Sequence, residues 1–117
     1  MAKDDYFVIV YKILTYFYEC LKAGKKPQAE DYAATCEMFS IPQTYWLQIM
    51  RELIEAGYLR DIQIVSVHGG FGIKADPTSS ITMKGVEFLQ TNSGISKARE
   101  LFQSGFELLL SGIISRI

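Results

Sequence analysis

Apolar residues recur along this chain at two different periods, and the switch between them marks its organisation. From Asp5 to about Ala23 the period is helical. Phe7, Tyr11, Leu14, Tyr18 and Leu21 share one face, and Tyr6, Ile9, Ile13, Tyr16 and Cys20 a second. Only Lys12, Thr15, Glu19 and Lys22 form a polar strip, so this helix must be covered on more than one side. Gly24 stops it, and Pro27 pushes Lys26 into an extended connector. A second, shorter helix is expected from Glu30 to about Phe39, with Tyr32, Ala33, Cys36 and Phe39 inward and Glu30-Asp31 at its positive end. Ser40-Ile41-Pro42-Gln43 has the form of a capping box with an early proline, which predicts a third helix from there to about Ala56. On it Trp46, Ile49, Met50, Leu53 and Ile54 face in. Gln43, Thr44, Gln48, Arg51, Glu52 and Glu55 face out, and Gly57 ends it.

From Tyr58 to Val67 the period shortens to two, imperfectly, around Ile62-Gln63-Ile64-Val65. His68-Gly69-Gly70-Phe71-Gly72 reads as a turn, and Ile73 to Ile81 as a second strand broken at Asp76-Pro77. Ile81 plugs the core and Thr82 caps a fourth helix, Met83 to about Gln90, in which Gly85 lets another backbone come close. Asn92-Ser93-Gly94 breaks it. Ile95 to Ile117 is a fifth helical pattern, with Ala98, Leu101, Phe102, Phe106, Leu109, Ile113 and Ile114 on a broad apolar face. The order helix, helix, helix, hairpin, helix, helix predicts a mostly helical α+β fold. It is the arrangement of a winged helix-turn-helix with a β-hairpin wing and an added C-terminal helix. The 117 residues fit a single domain, with 1–93 as the winged core and 94–117 as the added helix.

Composition refines this picture. An apolar share of 49% and a charged share of 21% belong to a chain that packs a core. A formal charge of −1 argues against coating nucleic acid non-specifically, because such affinity grows with each phosphate neutralised. A site-specific DNA reader with a local basic patch remains open. The charged start Lys3-Asp4-Asp5 is unlike a signal peptide, and no apolar run approaches the ~20 residues that span a bilayer, so a cytoplasmic protein without membrane contact is expected. In that compartment Cys20 and Cys36 read as two reduced, packed thiols rather than a disulfide.

One block carries a family resemblance. Ile81-Thr82-Met83-Lys84-Gly85-Val86-Glu87-Phe88-Leu89 followed by Asn92-Ser93, with Gly57-Tyr58-Leu59 upstream, resembles the YjcQ family of Gram-positive bacteria and their phages. The aromatic-rich opening helix fits as well. The glycine-rich stretch 68–72 and the very apolar tail Phe106–Ile117 depart from the pattern. The resemblance implies a winged-helix-like fold, similar to that of DNA-binding regulators, and a phage-related role.

Candidate chemistry is sparse. His68 stands alone in the expected wing, without a second imidazole, thiol or carboxylate at ligand spacing, so neither a metal site nor a catalytic base is expected. His68-Gly69-Gly70 resembles the oxyanion loop of some esterases but lacks the accompanying nucleophile elbow. Gly70-Phe71-Gly72 has no phosphate-loop context. A protein without catalytic residues, metal or cofactor is the expectation. For nucleic acid the third helix would enter the major groove with Gln43, Thr44, Tyr45, Gln48 and Arg51, supported by Arg60, Lys74, Lys84, Lys25 and Lys26. Glu52 and Glu55 on the same helix oppose this, and an ordinary solvated face is the plain alternative. Self-association is a second expectation. Tyr6, Ile9, Ile13, Phe102, Phe106, Leu109, Leu110, Ile113 and Ile114 would form a two-fold interface of the kind PadR-like regulators use, unless the last helix packs on the first within one chain. The expected function is therefore binding of double-stranded DNA by a homodimeric regulator, with a protein-contact module as the alternative.

Overall fold

The computed structural model describes residues 2–117. Its elements are α1 (Tyr6–Ala23), α2 (Gln43–Glu55), β1 (Leu59–Val67), β2 (Gly70–Ile81), α3 (Met83–Thr91) and α4 (Ser93–Ser115). The fold is α+β, with four helices and one two-stranded antiparallel sheet.

α1 is the central element, as its nearly all-round hydrophobicity requires. Val8, Ile9, Val10, Tyr11, Ile13, Leu14, Tyr16, Phe17 and Cys20 are all buried. Gly24 ends it in a left-handed conformation (φ 69°), and the Lys25 amide returns to the Cys20 carbonyl at 2.9 Å. α4 lies along one side of α1, with Ile95, Ala98, Phe106, Leu110 and Ile113 buried. The core runs without a break across residue 94, because Asn92 alone separates α3 from α4.

The second predicted helix does not form. Residues Ala29–Tyr32 make a single 3-10 turn, and the chain then loops through an isolated antiparallel bridge between Thr35 and Ser40. Tyr32, Met38, Phe39 and Ile41 are the buried positions, a spacing that no single helix face accommodates. Side chains from elsewhere fix the segment. The Tyr16 hydroxyl accepts from the Gln28 amide (2.9 Å) and donates to Asp31 (2.7 Å), and the Trp46 indole donates to the Tyr32 carbonyl (2.8 Å). The capping box also fails, because Ser40 is held in the bridge. Pro42 takes the N-cap position of α2 with extended backbone, and no side chain caps the helix.

The hairpin differs from expectation in its turn. Val67 pairs with Gly70, so only His68 and Gly69 form the tip, and the strands are correspondingly longer. Gly69 and Gly70 both have positive φ. The imperfect alternation has a local cause. Pairing jumps from Ile62–Ala75 to Arg60–Ser80, and Asp61 sits at φ 58° in the resulting bulge. Leu59 and Ile62, three apart, are consequently both buried. The bulge is closed by Thr78 donating to the Asp61 carboxylate (2.7 Å) and Ser79 donating to its carbonyl (2.5 Å).

Candidate interaction surface on α2 and the hairpin

Three core side chains orient α2. Trp46, Ile49 and Leu53 are buried and turn Thr44, Gln48, Arg51 and Glu55 outward as one exposed stripe. The hairpin tip lies against one flank of that stripe. Gln43 Nε2 donates to the Phe71 carbonyl at 3.0 Å, and the Arg51 guanidinium carbon is 6.0 Å from the Phe71 ring centroid. On the other flank, the Tyr6 hydroxyl donates to Glu52, whose second oxygen accepts from Gln48 at 3.3 Å. Tyr45 is half-buried against Tyr6, and its hydroxyl donates to the Asp4 carbonyl at 2.9 Å. Burial raises the Tyr45 phenol above its ordinary range, and Asp5 and Asp4 add to the shift.

The residues predicted to bind together separate into groups. Thr44, Gln48 and Arg51 share the open stripe, whereas Gln43 straps the hairpin and Tyr45 anchors the N-terminal segment. Lys25, Lys26 and Arg60 lie at the opposite end of the hairpin, around Pro77–Ser80. There Lys25 donates to the Ile114 carbonyl at 2.9 Å, closing the end of α4. Arg60 is 4.0 Å from the carboxylate of Asp61. Lys84 stands over the Tyr58 ring at 5.7 Å, and Lys74 is exposed on β2 opposite Gln63. The supporting bases named from the sequence thus fall at more than one place on the surface.

The residues expected at a two-fold interface lie on α1 and α4 and pack within the same chain. Ile9, Ile13, Phe106, Leu110 and Ile113 are each at most 4% exposed within one chain. Tyr6, Phe102, Leu109 and Ile114 are half-buried against the same core. α1 and α4 cover each other, so the apolar faces assigned to a second copy are satisfied intramolecularly. The exposed apolar positions of α4 are instead Leu101 (56%) and Leu108 (81%).

Cys20 is buried and Cys36 half-buried, both as free thiols. Among the described residues no helix is long and apolar enough to cross a membrane, and no three His, Cys, Asp or Glu side chains converge as a metal site.

Sequence reasoning missed the pocket on the far flank of α2. Tyr6 and Phe7 from α1, Glu52 and Glu55 from α2, Tyr58 and Phe88 together line a groove of about 490 Å³. The signal was present in the aromatic residues at the start of α1, but their meeting with α3 depends on tertiary packing.

These features define a small, mostly helical α+β domain that presents one helix stripe beside a hairpin. The family model described as YjcQ protein matches residues 11–104, and the chain belongs to the YjcQ family. No curated protein and no solved structure matches it.

Proposed function

We propose that this chain is a winged-helix binding domain without catalytic activity, with α2 in the place of the recognition helix and β1–β2 as the wing, and that its partner is a protein. The observation that carries this reading is the charge of the open side of α2. Arg51 is its one base, while Glu52 and Glu55 are its acids, and Asp4 and Asp5 border it. DNA affinity is built from phosphates neutralised by lysine and arginine, and carboxylates facing phosphates subtract from it. Of the bases that could compensate, Lys25, Lys26 and Arg60 lie at the far end of the hairpin and Lys84 lies over Tyr58, which leaves Lys74 on the hairpin itself. A mixed, net acidic stripe suits a protein surface, where complementary charges fix orientation.

A second reading, a DNA-binding regulator of bacterial or prophage origin, is favoured by Thr44, Gln48 and Arg51 remaining open beside the hairpin. Glutamine and arginine in that setting can read adenine and guanine edges.

Fluorescence anisotropy with pooled genomic duplexes at low salt separates the two. The protein reading expects no binding tighter than about 10 µM. It also expects a photo-crosslinker placed at Gln48 in cells to yield a discrete, nuclease-resistant protein adduct that the same group at Gln103 does not. Tighter DNA binding that Arg51→Ala abolishes would establish the DNA reading instead.

A further inference from the structure

The groove beside α2 has walls suited to one kind of occupant. Tyr6, Phe7, Tyr58 and Phe88 are all half-buried rings. Tyr58 and Phe88 stack at 4.3 Å, Tyr6 meets Phe7 edge-on at 5.9 Å, and Phe7 rests on the backbone of Gly94, where an added Cβ would come within 2.8 Å of the ring. The rings are thus fixed from behind rather than free to collapse into the space.

The exposed carboxylates of Glu52 and Glu55 border these rings. Glu52 is already oriented, because it accepts hydrogen bonds from Tyr6 on one oxygen and from Gln48 on the other. Burial, the hydrogen bond to Glu52 and the Glu52 charge all raise the Tyr6 phenol well above its ordinary value, so it stays a neutral donor. Ring faces attract cations, and the structure contains an internal instance in Lys84 over Tyr58 at 5.7 Å. An apolar trough whose polar side chains are two carboxylates and the phenols of Tyr6 and Tyr58 is complementary to apolar side chains next to a positive charge. It repels acidic ligands.

We infer that this groove docks a short segment of a protein partner that carries leucine-like side chains flanked by arginine or lysine. The inference rests on the protein reading above and names the chemistry of the partner.

Two fluorescein-labelled hexapeptides of equal apolar content serve as probes, one with arginines flanking two leucines and one with glutamates in their place. The arginine peptide should bind and shift backbone amide resonances of 6–10, 52–58 and 88, and the glutamate peptide should not. Glu52→Gln with Glu55→Gln removes both charges and leaves at position 52 one oxygen to accept from Tyr6 and an amide to which Gln48 can turn its own carbonyl. It should weaken binding about tenfold at low salt, with an unchanged urea midpoint and a flattened salt dependence. Equal affinity for both peptides, insensitivity to the double substitution, or shifts that map elsewhere would overturn the inference. So would butylammonium chloride binding as tightly as the peptide, which would assign the groove to free amines. If DNA binds through Arg51, the protein reading fails whatever the peptides do. If neither DNA nor peptide binds and the Gln48 adduct forms, only the groove assignment fails.

Discussion

Gly85 shows how one missing methyl group sets the position of a helix. It is buried in the first turn of α3, and a Cβ there would overlap the Tyr58 carbonyl oxygen and come within 2.7 Å of Ile81 Cγ1. The carbonyl cannot retreat, because it accepts the Thr82 amide at 3.0 Å. Alanine in an open helix would gain about 1 kcal/mol over glycine. Overpacking against fixed backbone costs about 1–3 kcal/mol and more where nothing yields. Gly85→Ala should therefore be a net loss of about 2 kcal/mol, seen as a lower urea midpoint with an unchanged m-value. A stabilised Gly85→Ala protein would show that α3 can slide. This close approach was legible from the glycine itself, since nothing else in a helical pattern explains that residue there. The roles of Gln43 and Tyr45 were not legible, because their partners are backbone carbonyls at Phe71 and Asp4 that no local pattern announces.

At the scale of elements, caps that depend on neighbouring residues were readable and those that compete with tertiary contacts were not. Thr82 accepts from the Gly85 amide at 3.0 Å and donates to the Gly57 carbonyl at 2.5 Å, so one hydroxyl both starts α3 and closes the end of α2. Thr82→Ala should cost about 1–2 kcal/mol, the range for a lost N-cap with a second bond attached. Amide hydrogen exchange should quicken in 83–86 and around 57, and exchange confined to α3 would contradict the double role. Ser40, with an equally good local signature, does not cap α2, since the bridge to Thr35 holds it. The neighbouring segment 30–39 fails as a helix for a related reason. Its hydrogen bonds and buried side chains are claimed by Tyr16, Trp46 and Lys12, the last donating to the Met38 carbonyl at 3.0 Å. The two strands were legible from their period, but the bulge at Asp61 hid the true register.

The whole molecule is a core in which several weak acids are kept neutral. Burial pushes the Cys20 thiol from 9.0 up to about 11. Burial also lifts the phenols of Tyr16 and Tyr32 above their ordinary value. A raised acid pKa means that the folded chain holds protons which the unfolded chain gives up first. The stability contributed by Cys20 is complete below pH 9.0 and is lost as pH rises through about 11, and the two phenols hold theirs to higher pH. Urea midpoints should accordingly fall across that window and stay level just below it, and a midpoint that rises on the alkaline side would contradict the burial. The mutual cover of α1 and α4 also leads us to expect a monomer of 13.2 kDa by light scattering. Twice that mass would point to the exposed Leu101 and Leu108 side of α4, since the faces first assigned to a partner are already filled. The sequence left both coverings open, because periodicity identifies an apolar face without saying whose surface covers it.

The arrangement of the two longest helices bears on how the protein is made. Tyr11 packs on Phe106 with ring centroids 5.4 Å apart, so α1 leaves the ribosome before α4 and waits for it. At roughly 5–20 residues per second, its greasy side travels uncovered for on the order of ten seconds. Burial of that side thus waits until α4 has been made, and the nascent chain is a natural client for chaperones that shield exposed hydrophobic segments during synthesis.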